Sequence, residues 1–389
     1  MRVLHWYPNL QTGGAVANTV AALANAEADL GIEVAIASAK SGDQALYGPV
    51  SVSERVRLLT WQPSWTLKKM TWAFHGISGR TITEFRELNP TVIHVHAEFN
   101  IDNLQVPRIF DCPILLSPHG AFDPIGLQKG LRWAKRFYLT LADRILYKKI
   151  SLFHALSPSE QKNILALVPD SYIYCVPNGT LFDESRRPNG SEIGNSKKYE
   201  TLNLVFVGRL DTYTKGLDIL IQAFAGASKE LGDRAIRLTL VGPDWNGSVL
   251  KLSRLAADLG VTDKVTFTGA IPQTSVADVI ERADIYIQLS RHDAFPAGVA
   301  QALVAGIPTI ASSHVGTTSY AEVAALPYLR VVSNDVEDAK NAIVDFAGRI
   351  HVLRELADRH HSAAVEFFSW RRIARMHIRE YQSLGKTAL

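Results

Sequence analysis

Short apolar runs alternate with stretches of helical period along almost the whole chain, which predicts a repeating strand–loop–helix unit. Val3–Trp6 reads as a strand. The loop Gln11-Thr12-Gly13-Gly14 follows, and a helix starts near Val16 with Val20, Leu23 and Leu30 on its apolar face and Gly31 as its stop. Ile32–Ala37 is the next strand. Two strands joined by a helix of this length pair in parallel through a right-handed crossover. Val92–Val95 and Ile114–Leu116 continue the series, and positions 129–149 and 159–168 read as a long and a shorter helix.

The periodicity stops around 183–200, where the chain is polar and rich in Gly, Asn and Ser, the composition of a linker. A second series follows. Leu204–Val207, Leu238–Val241, Val265–Phe267, Ile285–Ile287 and Thr309–Ala311 read as strands. Leu217, Leu220, Ile221 and Phe224 recur at helical spacing on one face. Helical patterns cover 248–259, 275–282 and most of 337–384, ending in the basic, aromatic stretch Trp370–Tyr381. The pattern predicts an α/β protein of two doubly wound domains, 1–183 and 201–369, with 184–200 as the linker. A cleft is expected between them, with ligands at the carboxyl ends of the strands.

Composition narrows the function classes. The 389 residues are 47% hydrophobic and 20% charged, enough for two cored domains. Cys112 and Cys175 form no CxxC pair and no metal-ligand cluster, which fits a reducing compartment. No apolar run reaches the roughly 18 residues of a membrane span, and the N-terminus lacks a signal-peptide core. The expected location is cytoplasmic. A net charge of +3 permits an anionic ligand or membrane surface and gives no reason to expect nucleic acid.

Two segments carry candidate chemistry. In the first, Gly208 ends a strand, Arg209 offers a planar fork for phosphate oxygens, and Lys215 adds a second positive charge before a helix. Helix N-terminal amides favour an anion. An ordinary exposed Arg and Lys is the other reading. Neither a Walker A loop nor a GxGxxG fingerprint is present. In the second, Ser290 to Leu303, a strand leads through Asp293, Phe295 and Pro296 into a helix. The amides near Ala297 and Gly298 point at an anion or a sugar hydroxyl, and Asp293 and Gln301 accept hydrogen bonds from hydroxyls. For Asp293 a helix cap is the alternative.

These motifs, in this order, resemble the GT-B glycosyltransferases of the retaining GT4 group. The second half matches through GRL and KG within 208–216, VGPD at 241–244, TG at 268–269, SRHDAFPAGVAQAL at 290–303, VAGIPTIAS at 304–312 and FSW at 368–370. The first half matches more loosely, through TGG at 12–14, IHVHAEFN at 93–100, SPHG at 117–120, ALSPSE at 155–160 and VPNG at 176–179. Each motif is short; their order and spacing carry the resemblance.

The resemblance implies two Rossmann-like domains, the first on the acceptor side and the second holding a nucleoside-diphosphate sugar. The terminal helix, 370–389, would cross back to the first domain. Arg209 and Lys215 would neutralise the donor diphosphate, with Gly208, Phe295, Pro296, Ala297 and Gly298 around it. Asp293 and Gln301 occupy the two positions of the family's Glu-x7-Glu motif, facing the donor sugar and the ribose; both glutamates are substituted here. His119 matches the family's cleft histidine, and Gly13 and Gly14 would bring backbone to the diphosphate or acceptor. No cofactor and no metal is implied, and the chain has no Asp-x-Asp. Reaction with retention, onto a glycan or lipid-linked acceptor of bacterial surface polysaccharide synthesis, is the expected function. A sugar-nucleotide epimerase, which would turn over donor without acceptor, is one alternative, and Asp293 and Gln301 leave a non-catalytic sugar-nucleotide-binding subunit as another.

Three further readings concern residues to which the resemblance assigns no role. His94 and His96 share a strand face, and with no third ligand nearby in sequence they read as cleft lining rather than a metal pair. His360-His361 reads as solvent-exposed. Lys129–Lys149 holds seven Lys/Arg and one Asp, with Trp133, Phe137, Tyr138 and Tyr147 interleaved. It reads either as a surface for the inner membrane, joined by Trp65–Trp72, or as a core-packed helix with a solvated basic face.

Overall fold

The computed structural model describes residues 1–40, 50–62, 77–128, 130–180, 201–232 and 235–387. The expected linker at 184–200 and the segment Trp65–Trp72 lie outside the described residues. The chain forms two compact units, Met1–Gly179 with Trp370–Leu389, and Thr180–Ser369.

The first unit runs β1 (Arg2–Trp6), α1 (Ala15–Asp29), β2 (Glu33–Ala39), β3 (Val56–Trp61), α2 (Gly79–Glu87), β4 (Val92–His96), α3 (Val106–Ile109), β5 (Ile114–Ser117), α4 (Pro124–Gln128), α5 (Arg132–Ile145), β6 (Ile150–Ala155), α6 (Pro158–Leu167) and β7 (Ile173–Cys175). Its sheet has the order β3-β2-β1-β4-β5-β6-β7, with every pair parallel. The strands are near-continuous apolar runs because helices cover both faces. Trp6 stacks on Trp61 at 5.2 Å and meets the edge of Phe85, filling one face of the sheet.

The second unit runs β8 (Leu202–Val207), α7 (Leu217–Glu230), β9 (Ile236–Val241), α8 (Ser248–Asp258), β10 (Val265–Gly269), α9 (Val276–Glu281), β11 (Ile285–Gln288), α10 (Ala297–Val304), β12 (Thr309–Ser312), α11 (Ala321–Ala324), β13 (Leu329–Val332), α12 (Val336–Gly348) and α13 (Ile350–Phe367). Its sheet order is β10-β9-β8-β11-β12-β13. The face of α7 formed by Leu217, Leu220, Ile221 and Phe224 is fully buried against this sheet. In both sheets the order reverses direction after the first strand, between β1 and β4 and between β8 and β11. Such a switch point opens a crevice at the strands' carboxyl ends.

The last helix, α14 (Trp370–Thr387), returns to the first unit and packs on α1, where Ile373 and Ala374 meet Leu23 and Val176. The helix expected over 129–149 is shorter. Gly130 takes a left-handed φ of 69°, so α5 begins at Arg132 and ends in a 3-10 turn at Tyr147–Lys149. His361 is buried against the carbonyls of Ala357 and Asp358 rather than exposed; the apolar face of α13 includes it. Tyr138 and Tyr147 also belong to the core, so only Trp133 and Phe137, 66% and 67% exposed, stand with the basic side chains on the surface of α5.

Candidate active site

In the second unit the switch point is built by the loops after β8 and β11. Gly208 follows β8, and Arg209 leaves the sheet with its guanidinium 4.2 Å above the Trp245 ring and 3.9 Å from Asp211. A cation over an indole face keeps its fork in one orientation while leaving its edge open. Lys215 comes next, and its ammonium is paired with the Asp293 carboxylate from the β11 loop. Two residues that lie 78 positions apart therefore form one half-buried ion pair. Gln288 Nε2 lies 3.5 Å from the same carboxylate and donates to Ser290 Oγ at 2.7 Å.

The two loops are joined by backbone as well. Gly216 has φ 62°, and a Cβ there would lie 1.9 Å from the Leu289 carbonyl oxygen. Only glycine allows that approach. Beside it, Arg291 grips Asp218 with two hydrogen bonds of 2.8 and 2.7 Å and lies over the Tyr213 ring at 4.5 Å.

Asp293 is not a helix cap. The cap of α10 is Pro296, which offers no side-chain hydrogen bond, so the first amides of the helix are left for another acceptor. Ala297 is exposed and Gly298 half-buried at this end. A Cβ on Gly298 would lie 2.1 Å from the Tyr286 hydroxyl, so helix and strand approach closely only because the side chain is absent. Phe295 packs on Phe368 at 6.0 Å, and Gln301 lies half-buried one turn into the helix.

In the first unit, Gly13 and Gly14 form the turn between β1 and α1, with φ 74° and 92°. His119 follows β5 with φ 54°, a left-handed backbone that a non-glycine residue adopts at a cost. Ala97 and Phe99, after the neighbouring β4, do the same at 60° and 59°. The His119 turn is held by Glu160, whose carboxylate accepts from the Gly120 and Leu156 amides. Burial drives the His119 pKa down to about 3, so its ring is neutral.

His94 and His96 have a third histidine beside them. His5 on β1 stands in register with His94, and ring nitrogens of the three lie within 4.8 Å of one another. Sequence distance hid it; aligning the strand patterns around His5 and His94 is the signal that finds it. Two acidic residues also escaped notice. Glu27, buried on α1, accepts from His5 at 2.8 Å, and Glu98 is buried just after β4.

Residues 192–347 match Glycosyl transferases group 1, and residues 12–181 match Glycosyltransferase Family 4. The chain belongs to the group 1 glycosyltransferases of GT4 type. It is 25% identical over 186 residues to the mannosylfructose-phosphate synthase of Agrobacterium fabrum, a match covering 44% of this chain and 40% of that protein. It is 22% identical over 223 residues to the GDP-mannose:cellobiosyl-diphosphopolyprenol alpha-mannosyltransferase of Xanthomonas campestris, covering 57% of this chain and 55% of the relative. The chain thus spans about half the length of these curated relatives. The sucrose-phosphate synthase of Thermosynechococcus elongatus shares the fold with a TM-score of 0.74 at 19% identity, over 99% of both chains. This group 1 fold is GT-B, two parallel-sheet Rossmann-like units.

Glu98 generates a test of the first unit of this GT4-type chain. Burial pushes its carboxyl up to about 7, opposed in part by the phenols of Tyr138 and Tyr147, and neither oxygen has a partner at full bonding geometry among the described residues. The folded state therefore holds a proton that the unfolded chain releases near pH 4.5. Stability is fully present below that pH and falls as pH rises towards 7. Glu98→Gln should abolish the decline, raising stability at pH 8 by up to ~3 kcal/mol while changing little at pH 4. Denaturant titrations of both proteins at the two pH values check this; equal differences at both would remove the buried acid from the account.

Proposed function

We propose that this chain is a retaining glycosyltransferase that moves a sugar from a nucleoside-diphosphate sugar to a glycan or lipid-linked acceptor, without a metal, in the synthesis of a bacterial surface polysaccharide. The observation that carries the reading is the convergence of Arg209, Lys215 and the uncapped start of α10 at one switch point. All three favour a diphosphate.

Transfer forms a bond from an acceptor oxygen to the anomeric carbon as the bond from that carbon to the phosphate oxygen breaks. Negative charge grows on the departing phosphate. Arg209, Lys215 and the α10 amides stabilise it, the charge work a metal supplies elsewhere. Attack on the same face retains configuration and lets the leaving phosphate oxygen take the acceptor's proton. Asp293, anchored by Lys215, faces the donor sugar and Gln301 the ribose, and His119 is the first unit's own site residue. Gly13 and Gly14 admit the diphosphate or acceptor close to the backbone, and Gly208, Phe295, Pro296, Ala297 and Gly298 shape the donor pocket.

The relative from Xanthomonas carries a lipid diphosphate acceptor and a sugar-nucleotide donor in its name, which supports the acceptor class. The exposed pair Trp133 and Phe137, with Arg132, Arg136 and Arg144 on the same exposed stretch of α5, suits an anionic lipid surface. None of the described helices is long and apolar enough to cross a membrane.

Calorimetric titration with UDP, GDP, ADP and dTDP in the presence of EDTA tests the donor site. One diphosphate should bind, and Arg209→Ala should weaken it about tenfold or more, as expected for losing a charge-assisted contact. Unchanged affinity in both Arg209→Ala and Lys215→Ala would sink the phosphate assignment. His119→Ala should slow nucleoside-diphosphate release from the donor about tenfold or more while leaving nucleotide affinity within about twofold; equal losses would make His119 a structural residue. Trp133→Glu with Phe137→Glu should reduce sedimentation with phosphatidylglycerol vesicles about tenfold or more. Equal sedimentation of wild type and variant would leave α5 an ordinary surface helix.

A further inference from the structure

His119 is the end of a buried hydrogen-bond chain. Its Nε2 lies 3.1 Å from His96 Nδ1, His96 Nε2 lies 2.9 Å from His5 Nδ1, and His5 Nε2 lies 2.8 Å from Glu27 Oε2. His5, His96 and Glu27 are fully buried. Three bonds join three rings to one carboxylate, and a neutral ring brings one N–H. If Oε2 only accepts, His5 must carry its proton on Nε2. Its Nδ1 then accepts, so His96 is protonated on Nε2. His96 Nδ1 accepts in turn, so His119 is protonated on Nε2 and its Nδ1 keeps a lone pair.

A second chain from the same carboxylate decides that Oε2 accepts. Glu27 Oε1 is 3.0 Å from the Tyr381 hydroxyl, which is 2.7 Å from His94 Nδ1. His94 Nε2 is 2.6 Å from Ser117 Oγ, Ser117 Oγ is 2.7 Å from His154 Nδ1, and His154 Nε2 is 2.8 Å from the Val176 carbonyl. A carbonyl only accepts, so His154 donates there, Ser117 donates to His154, and His94 donates to Ser117. Five bonds then share the four protons of Tyr381, His94, Ser117 and His154 when all are neutral. The fifth proton sits either on a histidine of this chain or on Glu27 Oε1. Both placements leave Oε2 an acceptor.

We propose that Glu27, His5 and His96 are positioning residues that lock His119 as the Nε2–H tautomer and present its Nδ1 lone pair as an acceptor for a ligand hydroxyl. This rests on the reading of His119 as a site residue. Burial and mutual repulsion among His5, His94, His96, His119, His154 and His377 hold His94, His96 and His119 well below the ordinary histidine range, which keeps the rings neutral. A metal on His5, His94 and His96 would need lone pairs that the two chains already use. Each ring nitrogen of those three residues has a hydrogen-bond partner.

Nitrogen-15 spectra of the full chain labelled at histidine read the tautomers directly, with His119 assigned from the signal lost in His119→Gln. Wild type should show a neutral His119 protonated on Nε2. His5→Phe removes the middle link, and the preference of His119 for Nε2–H over Nδ1–H should fall about tenfold or more. Glu27→Gln should preserve the order, because its amide oxygen accepts from His5 while its NH2 donates to Tyr381. A wild-type His119 that is protonated on Nδ1 or charged would overturn the proposal, and this outcome needs no variant to fold. So would unchanged His119 shifts in folded His5→Phe, or spectra altered by EDTA, which would point to a bound metal. A locked tautomer together with unimpaired donor turnover in His119→Ala would keep the relay and discard the site reading.

Discussion

Parallel pairing is the constraint from which the site follows. When every strand of a sheet runs the same way, all carboxyl ends reach the same edge, and each following loop empties there. Residues remote in sequence then become neighbours without any local signal. Lys215 after β8 reaches Asp293 after β11, and His5 on β1 stands opposite His94 on β4 because the two strands hold their register. Burial on both faces makes that register strict, since a slip by one residue would reverse every side chain.

The same constraint explains what the amino-acid order reveals. Strands such as Leu204–Val207 and Leu238–Val241 are legible because a strand covered on both faces needs an unbroken apolar run, and the α7 face is legible because a helix covered on one side needs helical spacing. Four strands are not. Val56–Trp61 is an edge strand with exposed Arg57 and Leu58, Ile150–Ala155 follows a 3-10 turn with no breaking residue between, and Ile173–Cys175 and Leu329–Val332 are only three and four residues long. Edge position and brevity both erase the pattern on which such a reading depends.

For the candidate site, chemistry was readable and partnership was not. Arg209, Lys215 and Asp293 declare their charges and their places after strands. That the Arg209 guanidinium rests on Trp245, that Lys215 pairs with Asp293, and that α10 is capped by Pro296 are facts of three-dimensional approach. The buried histidines are the extreme case. Each looks like a lone polar residue in an apolar strand, and only the packed sheet and α14, which delivers Tyr381 to His94 and Glu27, turn them into a satisfied network. Burying so many polar groups is tolerable only when nearly every donor finds an acceptor.

The seam between the β8 and β11 loops has a consequence for protein engineering. Gly216 lets one loop's backbone touch the Leu289 carbonyl of the other, and Arg291 clamps Asp218 across the same seam. The two segments behave as one part with two attachment points. Grafting a foreign loop at either point alone would import a side chain into the contact or orphan a half-buried charge. A chimera meant to change what this pocket recognises must exchange residues 208–218 and 289–298 together, as a cassette.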